Sequence, residues 1–97
     1  MATYIVLGKL TDEGSKDIQN LRQYASANME RASKLGIEPK GWYLTMGHYD
    51  FVVIVEAPDD ETMAAQMVGV ATVGRSRTET LRAFSLDEVD TIIQKLS

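Results

Sequence analysis

Apolar residues along this chain change their spacing several times, and each change marks an element. Thr3–Leu10 is apolar at both parities, Tyr4 and Val6 on one side and Ile5 and Leu7 on the other, which predicts a strand buried on both faces. Thr11-Asp12-Glu13-Gly14-Ser15 breaks it, and Thr11 or Ser15 can accept a hydrogen bond from the free amides of a helix start. Over about Ser15–Leu35 the spacing becomes helical, with Ile18, Leu21, Ala25, Met29 and Ala32 on one stripe and Gly36 as a left-handed stop. The stretch Gly41–Ala57 then reads as a hairpin. Trp42–Met46 alternates, Phe51–Val55 is unbroken apolar sequence, and Gly47-His48-Tyr49-Asp50 supplies turn residues between them.

Pro58-Asp59-Asp60-Glu61 has the composition of a helix entrance, an Asp cap followed by acids at the positive end of the dipole. Ala64, Met67, Val68 and Ala71 are expected on its buried face, and Gly74 ends it. Ser76–Phe84 alternates as a half-exposed edge strand does. Ser85 and Glu88 have capping-box spacing ahead of Val89, Ile92, Ile93 and Leu96, which predicts a short C-terminal helix.

Strand, helix, strand, strand, helix, strand is the order of an α+β ferredoxin-like βαββαβ sandwich, here with an added C-terminal helix. Its antiparallel sheet has the first and third strands in the middle and helices over one face only. Those two strands are apolar on both faces, Phe51, Val53 and Val55 opposite Val52 and Ile54. An exposed side chain of this size forfeits about 1.5–3 kcal/mol, and a domain has only about 5–15 kcal/mol of net stability. A second copy packed sheet to sheet covers the face, so an obligate homodimer, or a higher homo-oligomer, is expected.

Composition narrows the function. The 97 residues make one domain, 1–97, without repeat or linker, and 44% hydrophobic with 25% charged residues is the make-up of an ordinary globular chain. The absence of cysteine excludes disulfides, thiolate catalysis and cysteine-held zinc and fits a reducing compartment. Without a signal-peptide pattern or an apolar run of membrane-spanning length, the expected location is the cytoplasm, with no membrane partner. A net charge of −4 with scattered cations argues against a nucleic-acid partner; Arg75, Arg77 and Arg82 are the one place for a local basic patch.

Candidate chemistry is sparse. Gly47 is expected to supply positive φ, and Asp50 to bind turn amides through its carboxylate. His48 is the only histidine and so the only group that moves protons near pH 7 at its ordinary pKa, with Tyr49 beside it; both are catalytic candidates, and both have a plain reading as loop residues. Tyr4, Tyr24, Asn28, Trp42 and Arg77 are the ligand-binding candidates. Tyr24 and Asn28 share a helix side, Trp42 reads first as core or interface filler and second as a stacking surface, and Arg77 reads first as an ion pair with Glu79 and second as an anion clamp. Metal binding has two ligands at best, His48 and Asp50, and haem ligation by His48 has no second feature, so no metal or cofactor is expected.

The turn Gly47-His48-Tyr49-Asp50, with Tyr43-Leu44-Thr45-Met46, Val53–Glu61 and Arg77–Phe84, resembles the GYD-domain family over nearly the whole length. That resemblance implies a dimeric α/β barrel of largely unassigned function. The family often has Arg before the Tyr; His48 stands there in this chain. The same turn is similar to one in effector-binding domains of the leucine-responsive regulator family, which implies binding of small metabolites near subunit interfaces. Two functions stay open: a small-molecule-binding or assembly module using the dimer-barrel cavity, with a small anionic or aromatic metabolite as ligand, and a cofactor-independent isomerase or monooxygenase with His48 as general base. A purely structural oligomer subunit is the third, and whether the protein is an enzyme is undecided by the residues alone.

Overall fold

The computed structural model describes residues 1–96; Ser97 lies outside them. Strand β1 (Ala2–Leu10) is followed by α1 (Asp12–Lys16), a 3-10 turn (Ile18–Asn20) and α2 (Leu21–Lys34). Then come β2 (Glu38–Leu44), β3 (Phe51–Ala57), α3 (Asp60–Val73), β4 (Ser76–Ala83) and α4 (Leu86–Gln94). The sheet order is β2-β3-β1-β4 with every neighbour antiparallel, so the fold is the α+β ferredoxin-like sandwich, with β1 and β3 central.

Helices α2 and α3 cover one face. Tyr4, Val6, Val55 and Ala57 from the central strands are buried there with Ala32, Ile37 and Met63. By alternation along the strands, the other face carries Ile5 and Leu7 of β1, Val52 and Ile54 of β3, Tyr43 of β2 and Leu81 of β4. The first four are half-buried by their neighbours, while Tyr43 is 57% and Leu81 43% exposed. Among the described residues no element packs across this face. Helix α4 extends away from the body, with Leu86 at 84% and Ile93 at 54% exposure.

Helix ends follow the sequence closely. Thr11 caps α1 by accepting from Gly14 N at 3.2 Å, Asp59 caps α3 by accepting from Thr62 N at 2.7 Å, and Ser85 with Glu88 forms the full capping box of α4. Gly36, Gly47 and Gly74 are the positive-φ glycines, at 80°, 104° and 80°. The single helix expected over Ser15–Leu35 begins earlier and breaks at Asp17. There the carboxylate accepts from Asn20 Nδ2 and pairs with Arg75, a local alternative to helical hydrogen bonding. The buried face of α3 is Met63, Gln66, Met67 and Val70 instead of the expected Ala64, Met67, Val68 and Ala71; Val68 is 64% exposed. This helix is apolar on nearly every side, so periodicity does not choose its inner face.

Both sheet edges are broken up. Strand β2 carries Pro39, a register shift between Pro39 and Gly41, and a Glu38–Lys40 ion pair at 3.3 Å, while β4 alternates threonines with charges.

Three hydrogen-bonded carboxylates are expected to make stability acid-sensitive. Hydrogen bonds from Asn20, then Arg75, hold the Asp17 carboxyl below its ordinary range, the Thr62 amide does so for Asp59, and the Ser85 amide for Glu88. Groups with depressed folded pKa values stabilise fully above their unfolded values, 3.8 for Asp and 4.5 for Glu, and lose that contribution as pH falls through the folded ones. Thermal midpoints are therefore expected to be flat above about pH 5 and to fall below about pH 4. Asp59→Ala should lower the midpoint on the plateau above about pH 5 and flatten part of the decline below it, because the cap it removes contributes only while ionised.

Candidate functional site

The sequence candidates divide between three places. Tyr24, Asn28 and Trp42 come together around a cavity of about 60 Å³ between α2, α3 and the sheet, walled mainly by apolar side chains such as Val53, Met63 and Val70. The Trp42 ring stacks on Phe51 at 5.4 Å and 11°, and Phe51 in turn lies over Gly8, where a Cβ would meet its ring at 2.1 Å. Tyr24 shares a hydrogen bond with Ser76 at 2.8 Å. Gln66, 7% exposed, donates from Nε2 to the Asn28 carbonyl at 2.9 Å, while the Asn28 side chain accepts from Arg31. Sequence reasoning passed over Gln66 and Ser76. The one amide among the methionines and valines of α3 was the available signal.

Tyr4 does not line this cavity. It is a core residue, 4% exposed, whose hydroxyl donates to the Asp60 carboxylate at the start of α3, and that bond pushes its phenol above the ordinary value. The Arg82 guanidinium lies 5.7 Å from the Tyr4 ring centroid and 4.2 Å from that of Phe84.

His48 and Tyr49 are at the hairpin tip, outside the cavity wall. The Tyr49 hydroxyl donates to Glu79 Oε2 at 2.7 Å, which raises the phenol's pKa, and the exposed His48 ring meets the Tyr49 ring edge-on at 4.9 Å. Glu79 is thus held by Tyr49, and the expected Arg77–Glu79 ion pair is absent among the described residues. Arg77 is exposed beside Lys9, its neighbour in the β1–β4 register. Among the described residues Arg75, Arg77 and Arg82 do not gather into the expected patch, since Arg75 binds Asp17 and Arg82 lies against aromatic rings.

Asp50 differs from its expected role as well. Its carboxylate accepts from Leu10 N at 2.8 Å and its own amide donates to Gly8 O at 2.8 Å, so it fastens the hairpin to the end of β1 instead of closing its own turn. Thr45 closes the turn, with its amide on Asp50 O at 2.8 Å and its hydroxyl on Tyr49 O at 2.6 Å. Gly47 turns the chain, Tyr49 reaches β4, and Asp50 reaches β1. The motif is a cross-strand staple.

The model of the GYD domain matches residues 4–93. This chain belongs to the GYD-domain family. A relative from Thermus thermophilus described as "Glutamine synthetase and cystathionine beta-lyase binding protein" is 36% identical over 90 residues, covering 92% of this chain and 95% of the relative. Among solved structures, TTHA0845, also from Thermus thermophilus, aligns with a TM-score of 0.63 at 25% identity, covering 88% of this chain and 95% of that one. MtbAldR gives a TM-score of 0.68 at 13% identity over 87% of this chain but only 52% of its own, a likeness of fold. Among the described residues of this GYD domain, no helix is long and apolar enough to cross a membrane.

Proposed function

We propose that this GYD domain is a homodimeric protein-binding module that assembles through the bare face of its sheet and takes a metabolic enzyme as its client. The observation that carries the reading is the row Ile5, Leu7, Val52, Ile54 and Leu81, side by side with nothing of the described chain over it. The description of the 36% identical relative as a binding protein for two enzymes supports the client half. The size of the cavity bears on the ligand half. At about 60 Å³ it is below the roughly 150 Å³ that admits benzene and far below the roughly 300–1,000 Å³ of ligand pockets, so a small aromatic or anionic metabolite gains little support. The enzyme reading gains less, because His48 and Tyr49 are apart from the cavity and Tyr49 is occupied by Glu79. A cysteine-free chain with such a client belongs in the cytoplasm.

Sedimentation velocity on the full chain is expected to show a species of twice the 10.8 kDa chain mass at micromolar concentration. A stable monomer there overturns the assembly half. Purified glutamine synthetase and cystathionine beta-lyase, each immobilised and titrated with the protein, are the clients to test, with a micromolar or tighter Kd expected for one of them. Absence of binding to both at tens of micromolar removes the client.

A further inference from the structure

Helix α4 is a second unpartnered apolar surface. Val89, Ile92, Ile93 and Leu96 fall on one side and Asp87, Asp90, Thr91 and Gln94 on the other, yet the helix makes no extended contact with its own chain. Ile92 is 41% and Leu96 83% exposed. A helix of nine residues is too short to persist in water on its own propensity, since isolated helices under about 12–15 residues are marginal. Its capping box helps, but tertiary packing has to supply the rest.

Where that packing comes from is constrained by area and by charge. The bare patch spans four strands at about 4.8 Å and roughly five residues at about 3.3 Å, a footprint of roughly 300 Å². Stable pairs bury about 800 Å² per partner. The sheet alone falls short, and an α4 given and received by each protomer adds to the same continuous surface. At the end of β4 remote from α4, Lys9 and Arg77 are register neighbours on the bare face, both exposed and neither in an ion pair among the described residues. When two such sheets pack face to face with their strands antiparallel about a two-fold axis, each α4 arrives at the partner's Lys9–Arg77 end. Asp90, next to Ile93 at the border of the apolar stripe, comes to those two cations.

We infer that α4 is an exchanged arm: each protomer lays its Val89–Ile92–Ile93 stripe on the partner's sheet, with Asp90, at the border of that stripe, beside the partner's Lys9 and Arg77. This rests on the homodimer proposed above and assigns Arg77 a role in it. Two experiments on the full chain test the arm. Ile92→Glu with Ile93→Glu keeps good helix formers in place and leaves the monomer core untouched. It is expected to raise the dimer dissociation constant at least a hundredfold in sedimentation equilibrium, with a circular dichroism spectrum that loses at most the signal of the nine α4 residues. Because the chain has no cysteine, an Asp90→Cys copy mixed with a mass-tagged Arg77→Cys copy can form a disulfide of mixed mass only between protomers. That mixed band is the expected product on mild oxidation. A wild-type dimer with unchanged affinity in the first variant and no mixed band in the second overturns the arm and leaves the homodimer standing. A monomeric wild type overturns both.

Discussion

Ile54→Lys is expected to yield a folded monomer. Ile54 is near the centre of the bare face, paired in register with Ile5 of β1, and in a two-fold assembly the same patch meets itself. The substitution therefore brings two ammonium groups into one largely apolar contact. Removing such charges from water costs several kcal/mol per ion. A micromolar dimer has about 8.2 kcal/mol of association free energy, and each loss of about 1.4 kcal/mol is a factor of ten, so at least a thousandfold rise in the dissociation constant is expected. Sedimentation velocity reads this directly. The contrast with the adjacent residue makes the test sharp: Val53 faces the helices, so Val53→Lys should abolish the fold itself, seen as loss of the cooperative thermal transition. If Ile54→Lys remains dimeric, the bare face is not the contact surface.

Gly14→Ala is expected to be among the most destabilising single-methyl changes in the chain. Gly14 is a buried residue of α1, and a Cβ there would be 2.1 Å from the carbonyl oxygen of Arg75. That carbonyl cannot step aside, because it already accepts from Thr11 N at 3.0 Å, while the Thr11 hydroxyl donates to Gly74 O at 2.8 Å and the Arg75 side chain is tied to Asp17. These bonds together fix the start of α1 to the turn between α3 and β4. Overpacking costs about 1–3 kcal/mol, and about 4–8 °C accompanies each kcal/mol in a domain of this size, so a drop of roughly 10 °C or more in the thermal midpoint is expected. Gly36→Ala is the comparison. It meets open space and carries only the penalty of a side chain at φ 80°, about 1–2 kcal/mol. Equal midpoints for the two variants would show that the α1 corner yields instead of clashing.

How far the sequence disclosed these features depended on how local their causes are. Caps at Thr11, Asp59 and Ser85, stops at Gly36 and Gly74 and the turn glycine at 47 all act within one turn of the chain, and all were legible. So were the central places of β1 and β3, because the succession of elements is that of a ferredoxin-like sandwich. The inner face of α3 was not, since Ala64, Met67, Val68 and Ala71 compete equally with Met63 and Val70 for the core and only the sheet beneath decides. Asp50 and Glu79 were misread for a related reason. Their partners, Leu10 and Tyr49, are 40 and 30 residues away, and nothing near either acid signals the pairing. The candidate site fared likewise: Tyr24, Asn28 and Trp42 converge, but Tyr4 and Arg77 were assigned by residue type, and topology sends them elsewhere.

The interrupted margins of the sheet decide what kind of association is open to the chain. A strand rim offering a clean row of free amides and carbonyls is a template on which further molecules add without end, the route to fibrils. Here Pro39 removes a donor, the offset at Gly41 spoils the repeat, and β4 presents Arg77, Glu79 and Arg82 along its length. Growth in the plane of the sheet is blocked, so the association proposed through its broad side is of the kind that closes on itself and stops at a finite particle.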